Sequence, residues 1–425
     1  MEYRKRIVDA ELKRKLAGKG AVLVEGPKWC GKTTTAEQVS ASVLRIDDPA
    51  RSRQYVSMSE IDPARLLEGA SPRLLDEWQR APRLWDAVRS EVDRRGEVGQ
   101  FILTGSAVPP DDASMDEQHT GTGRVSWLRM RPMSLWESGE STGETSLSAL
   151  FGDSGAAAGF SEASLSDVAF QICRGGWPMA VGMEGEVALD QAYDYVDAIV
   201  HRDINRADGV QKDPDRVRRV LRSYARHQGQ QVPYTTISAD IASNEAQGTS
   251  DDTVSQYASA LRRIFVVEDM PAWNPNLRSK AAIRTTDARY FVDPSIAAAS
   301  LGTGPEGLMS DLNTMGFLFE SMAVRDLRVY AQALRGEVRH FRDSSGLECD
   351  AVVTLRDGSY GLVEIKLGGD ALVEEGAASL VELAGKIDTT RMGEPSFMMV
   401  LTGIGGFAYR RGDGVIVVPL GCLKD

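Results

Sequence analysis

Cysteine is scarce. Cys30, Cys173, Cys349 and Cys422 are the only four in 425 residues, far apart and with no C-x-x-C pair. That spacing argues against a disulfide framework and a thiolate zinc site, and it points to a reducing compartment. Long apolar runs are missing too. No uninterrupted stretch reaches the length of a membrane span, and the charged segment Met1 to Leu16 lacks the apolar core of a signal peptide. The expectation is a cytoplasmic protein with no membrane contact. Nor is there an excess of positive charge: 61 acidic side chains face 49 lysines and arginines, a net −12. Such acidity opposes indiscriminate binding of polyanions, so any nucleic-acid contact must come from a local basic surface and be salt-sensitive.

What the chain does have is the composition of a soluble globular protein, 42% hydrophobic and 26% charged. Its length suggests roughly two to four domains. Gly26-Pro27-Lys28-Trp29-Cys30-Gly31-Lys32-Thr33 has the G-x-x-x-x-G-K-T spacing of a phosphate-binding P-loop. It follows the apolar run Ala21 to Val24 and precedes a helix opened by Thr34 to Ser40, whose N-terminal dipole favours an anion. In such a loop the backbone N–H groups turn toward phosphate oxygens. Lys32 then reaches the β- and γ-phosphates, and the Thr33 hydroxyl ligates Mg²⁺.

Short apolar runs alternate with helical patterns from there on, which predicts a parallel sheet covered by helices. The expected strands are Ala21 to Glu25, Val43 to Asp47, Arg73 to Asp76, Gln100 to Thr104 and Val125 to Arg129. The third closes on Asp76-Glu77, where Asp76 is assigned to Mg²⁺ and Glu77 to orienting and deprotonating the attacking water. Trp78 is expected to pack. The fourth ends in Thr104-Gly105-Ser106, so either hydroxyl is a candidate γ-phosphate sensor at the sheet's carboxyl edge. Pro109 to Thr122 reads as an exposed loop. Arg124 or Arg131 is the candidate arginine finger.

The segments GPKWCGKTT, LLDEWQRAPRLWDAVR, FILTGSA and GRVSWLRMRPMSLWE together resemble a bacterial and archaeal family of AAA-type P-loop ATPases. In that family the ATPase is followed by a C-terminal domain of unknown function with winged-helix and PD-(D/E)XK nuclease-like parts. The resemblance spans nearly the whole chain and implies binding and hydrolysis of ATP with Mg²⁺. Lys28-Trp29-Cys30 departs from the family's usual loop only at variable positions.

Four regions are expected: an AAA-like ATPase domain (1–137), a linker and helical connector (138–205), a winged-helix-like domain (206–300) and a restriction-endonuclease-like α/β domain (301–425). Gly139 to Ser166 reads as a linker. His201-Arg202-Asp203 matches a kinase triplet by accident, and Arg202 or Asp203 is expected in an interdomain ion pair. Arg216 to Arg226 is an amphipathic helix with a basic face, a candidate for phosphate contact. Helices over Thr236 to Asn244 and from Ser250, with strands Ile264 to Met270 and Ala288 to Val292, complete a winged helix-turn-helix pattern. Asp251 and Asp252 at the start of its second helix oppose DNA reading there.

Downstream, two strands flank the turn Arg356-Asp357-Gly358-Ser359 and bring Asp350 near Glu364. Lys366 shares a strand face with Glu364. This arrangement resembles a metal-dependent nuclease core, with Glu320 as its helix acid and Glu348 as an alternative carboxylate. Three functions remain open: an ATPase coupling nucleotide state to its C-terminal domains, an ATP-regulated metal-dependent nuclease, and a nucleotide-gated binding module with little turnover. ATP, nucleic acid, a second copy of the chain and a protein client are the partners considered.

Overall fold

The apolar runs near the N-terminus form strands, and the three central ones, Ala21–Glu25, Arg73–Asp76 and Phe101–Gly105, are buried on both faces, which is why they read as continuous rather than alternating. In this computed structural model, which describes residues 3–106, 121–152, 157–244 and 249–425, they are β1 (Ala21–Glu25), β2 (Ser42–Arg45), β3 (Arg73–Asp76), β4 (Phe101–Gly105) and β5 (Val125–Arg129). All pair in parallel, in the order β2-β3-β4-β1-β5. The order itself could not be read from the runs, since β4 inserts between β1 and β3.

Strand periodicity sorts the core residues. Val22, Val24, Leu74, Ile102 and Leu128 cluster with Leu12 and Leu16 of α1 (Val8–Leu16) and Ala36 of α2 (Lys32–Glu37). Ala21, Leu23, Leu75, Phe101 and Leu103 cluster with Tyr55 and Met58 of α3 (Ser52–Ile61) and with Trp85 and Val88 of α4 (Leu84–Arg95). Trp78 packs in that second cluster, and each such apolar side chain contributes about 1.5–3 kcal/mol. α2 stops at Glu37, short of Ser40, because the next three residues bond three positions back and tighten the last turn.

The chain divides into two compact units. The first is Met1–Arg131 with the later segments Arg202–Lys212 and Ala260–Val266, and the second is the remainder. Local bonds explain the returns. Asp203 pairs with Lys28, and the Phe265 ring lies under the Arg129 guanidinium at 4.2 Å. The ion pair expected of Asp203 is thus made inside the first unit.

In the second unit, residues read as a linker carry structure. Thr145–Ser146 (β6) is followed by a helix Leu147–Phe151 capped by the Ser146 hydroxyl, and a capping box on Ser164 opens Leu165–Arg174. Of that stretch, 153–156 lie outside the described residues. Helices Leu165–Arg174, Gly185–Ala198, Pro214–Arg226 and Pro294–Leu301 pack on one another. The expected wing strands reduce to two antiparallel bridges, Val267↔Phe291 and Met270↔Ala288. Ile264 to Val266 instead finish the helix Asp251–Arg263, with Val266 donating to the Leu261 carbonyl.

A second sheet contains β7 (Glu337–Arg342), β8 (Glu348–Thr354), β9 (Tyr360–Lys366), β10 (Phe397–Thr402), β11 (Tyr409–Arg410) and β12 (Ile416–Pro419), in the order β11-β12-β10-β9-β8-β7. β7, β8 and β9 form an antiparallel meander, and β9, β10 and β12 run parallel. The crossover helix Asp370–Lys386 buries Val373, Ala377, Leu380 and Leu383 on Val352, Leu362 and Val400. The short β13 (Leu423–Lys424) pairs with β6. Helix Leu312–Ala333 also packs on the meander.

That helix carries a buried charge network. Arg325 is bracketed by Asp293 at 3.0 Å and Asp326 at 2.7 Å. Asp326 accepts the Leu135 N–H and Asp293 the Gly176 N–H. The glycine pair in Arg174-Gly175-Gly176-Trp177 follows from this crowding. Gly175 has φ +74°, and a Cβ there would lie 2.4 Å from Asp293 Oδ1.

Candidate functional site

The carboxyl ends of β1, β3 and β4 converge on one set of polar groups. Gly26 leaves β1 with φ +156°, and a Cβ there would sit 2.1 Å from the Met130 carbonyl, so only glycine fits. Cys30 turns its side chain into the core, and its carbonyl accepts Arg6 Nη1 at 2.8 Å. Trp29 holds a left-handed φ of 65° and is exposed, as is Thr34. Lys32 is folded back on its own loop, donating to the Gly26 and Pro27 carbonyls at 2.9 and 2.6 Å. Lys28 donates to Asp203 Oδ1 at 2.5 Å.

Across the sheet, Asp76 Oδ1 accepts both the Thr33 hydroxyl at 2.7 Å and the Thr104 hydroxyl at 2.5 Å. Register explains the meeting: Thr104 on β4 is opposite Val24 on one side and Asp76 on the other. Thr104 therefore orients the carboxylate rather than standing free at the edge, while Ser106, two residues on, is buried. Glu77 also has a left-handed φ, 56°, and accepts Gln79 Nε2 at 2.6 Å. Burial raises its carboxyl above the ordinary value, with Lys32 and Lys28 opposing and Asp76 and Asp47 adding.

Arg124 is not part of this constellation. It precedes β5 at the amino edge of a parallel sheet, about 16 Å along the strand from Arg129, and pairs with Asp93 at 2.7 Å. A finger supplied within one chain cannot come from that edge. Arg131, the alternative, follows β5 on the P-loop side, where its carbonyl accepts Arg6 Nη2 at 2.8 Å. Of the loop expected at Pro109 to Thr122, residues 109–120 lie outside the described residues.

The sequence offered no route to Arg6 or Gln79, nor to the partner of Asp203. Arg6 lies in a run that reads only as charged. Asp203 follows Lys28 by 175 positions. Its one local mark is the π turn Ile199–Asp203, which interrupts the helical pattern.

In the second unit, Glu320, Glu348, Asp350 and Lys366 line a cavity of about 520 Å³ together with His340 and Arg342. Lys366 Nζ lies 2.9 Å from Glu364 and 4.0 Å from Asp350, and Asp350 also accepts the Ile365 N–H at 2.7 Å. Tyr290, which the sequence did not flag, donates its hydroxyl to Glu320. Gly229 admits Glu320 there, since a Cβ would lie 2.5 Å from Oε1. Burial, with Asp350 beside them, pushes both Glu320 and Glu364 up to about 8. Burial lowers His340 to about 4. Among the described residues no three His, Cys, Asp or Glu side chains are gathered to hold a metal ion. Of the expected set Glu320, Asp350 and Glu364, the Lys366 ammonium sits on Glu364 and Tyr290 donates to Glu320.

Comparison with known proteins divides the chain three ways. Residues 18–138 match the model of an AAA domain, 165–307 a domain of unknown function (DUF8612) and 315–423 another (DUF4143). Two uncharacterized proteins, from Mycobacterium bovis and Mycobacterium tuberculosis, are each 24% identical over 368 residues, 86% of this chain and 74% of theirs. Among solved structures, the Walker-type ATPase PABY2304 of Pyrococcus abyssi aligns with a TM-score of 0.42 and 13% identity, covering 69% of this chain and 94% of that one. The first unit thus contains an AAA-type P-loop domain built on a parallel sheet.

Proposed function

We propose that the chain binds ATP on the P-loop and hydrolyses it. The observation that carries this reading is the convergence of Lys32, Thr33, Asp76, Thr104 and Glu77 at one sheet edge. On ATP arrival Lys32 exchanges two backbone carbonyls for phosphate oxygens, a charge-assisted contact stronger than the ones it leaves. Thr33 and Asp76 offer hard oxygen donors, 2.7 Å apart, which suit a hard divalent cation such as Mg²⁺. When bound, that ion neutralises phosphate charge. Thr104 keeps Asp76 aimed at the Thr33 hydroxyl. Glu77, its carboxyl raised by burial toward the working pH, takes the proton from the attacking water.

Lys32→Ala should abolish hydrolysis and weaken ATP binding, and Glu77→Gln should bind ATP but turn it over at least about 100-fold more slowly. Phosphate release at the parental rate in both variants would dismiss this reading.

A second reading is supported by the cavity in the second unit, where Asp350, Glu320 and Lys366 face one space. There the chain would cut nucleic acid in a way that nucleotide state controls at a distance. Lys366 would hold the attacked phosphate, and Asp350 with Glu364 would supply oxygen ligands. Purified protein given Mg²⁺ or Mn²⁺ and labelled DNA or RNA should then cut it, and Asp350→Ala should not. No cutting, or cutting by both, removes the nuclease reading.

A further inference from the structure

Lys28 occupies the tip of the P-loop, two residues after Gly26, yet its ammonium is held by a carboxylate from a distant part of the chain. Asp203 is buried, its side chain 9% exposed against 36% for Lys28. A carboxylate removed from water this way depends on the cation beside it, here Lys28. Asp203 also ends the π turn Ile199–Asp203, a one-residue irregularity of the kind that can be absorbed by a small shift of the helix.

Lys28 stands on the phosphate-binding loop itself, four residues before Lys32. Glu77 marks where water would attack, hence the terminal-phosphate end of the site. Lys28 is thus poised between two anions, one present as Asp203 and one arriving with the nucleotide. A third phosphate would draw Lys28 and repel Asp203 together. A diphosphate lacks the group that would do either.

We propose that Lys28 and Asp203 form a latch that a nucleoside triphosphate opens and a diphosphate leaves closed, making Lys28 the residue that distinguishes the two. This rests on the P-loop being an ATP site. Opening moves an ammonium from one oxygen anion to another and frees the segment beginning at Asp203, so the third phosphate is read out as a change in residues 202–212.

The test is calorimetric titration of the full-length protein with Mg²⁺ and either a nonhydrolysable ATP analogue or ADP, on wild type, Asp203→Asn and Lys28→Met. Removing the competitor in Asp203→Asn should tighten the triphosphate by about 5-fold or more and change ADP by less than about 2-fold. Lys28→Met should weaken the triphosphate selectively, lowering the affinity ratio by a similar factor. Hydrogen exchange should show amides of 202–212 losing protection with the triphosphate analogue and not with ADP.

A purely structural ion pair gives another pattern: both variants melt lower, the triphosphate-to-diphosphate ratio stays at the wild-type value, and the segment responds alike to both nucleotides. That outcome overturns the latch and leaves the ATP site standing. Wild type that binds neither nucleotide overturns the site and the latch together. Should Asp203→Asn fail to fold, Lys28→Met and the exchange pattern of wild type decide the matter alone.

Discussion

Glu77 sits where backbone and side chain are both under constraint. Its left-handed φ costs of order 1–3 kcal/mol in a non-glycine residue, and such strain is retained where neighbours over-determine it. Here the neighbours are the end of β3, the Trp78 ring in the core and Gln79 on the carboxylate. Burial is the largest influence on its proton affinity and raises it, while Lys32 and Lys28 pull it down. A raised carboxyl is protonated, and lost as a base, at a higher pH than an ordinary one. The acid limb of the ATPase rate should therefore lie above pH 4.5, the ordinary value for a glutamate. Lys28→Met, by removing a charge that holds Glu77 down, should move that limb higher still. A profile of kcat against pH for the two proteins checks both, and a wild-type limb at or below the ordinary carboxylate range would contradict the account of Glu77.

Among the elements, the helix Leu312–Ala333 combines the greatest length with the most buried charge. Arg325 supplies the positive charge between Asp293 and Asp326, and both carboxylates in turn accept backbone N–H groups, from Gly176 and Leu135. Arg325→Met should destabilise the second unit by about 3–5 kcal/mol, since it strands two buried acids. Adding Asp293→Asn should recover part of that loss. Urea midpoints for the single and double variants measure it, and a single variant as stable as the parent would refute the role given to this network.

The same scale shows what sequence can and cannot supply. The five strands of the first sheet were legible to within a residue or two, the central three because burial on both faces leaves unbroken apolar runs. The meander β7-β8-β9 was legible in part, since its Asp357-Gly358 turn fixes which residues cross-pair and puts Asp350 beside Glu364. The wing strands misled because Val266, Val267 and Phe291 are apolar for burial, not for a ladder. Asp76, Glu77 and Lys32 stood out because each lies within a motif of fixed local spacing. Tyr290, Arg6 and the partner of Asp203 did not, because those contacts are defined by the fold alone.

At the scale of the whole molecule, a net charge of −12 makes local cation placement decisive. Arg218, Arg219 and Arg222 line a groove on the helix Pro214–Arg226, but Asp197 and Asp215 line it too, and Arg218 already pairs with Asp197 at 2.7 Å. Offsetting charges of this kind favour contacts of short reach over general attraction to a polyanion. The first unit, for its part, is assembled from three stretches of chain, of which the last ends at Val266. Synthesis runs in one direction at about 5–20 residues per second, so the 175 positions between Lys28 and Asp203 correspond to roughly 9–35 s on the ribosome. For that interval a nascent P-loop has its strand, its glycines and its lysines but no Asp203, and Lys28 is available to any phosphate in the cell before the chain has made the group that restrains it.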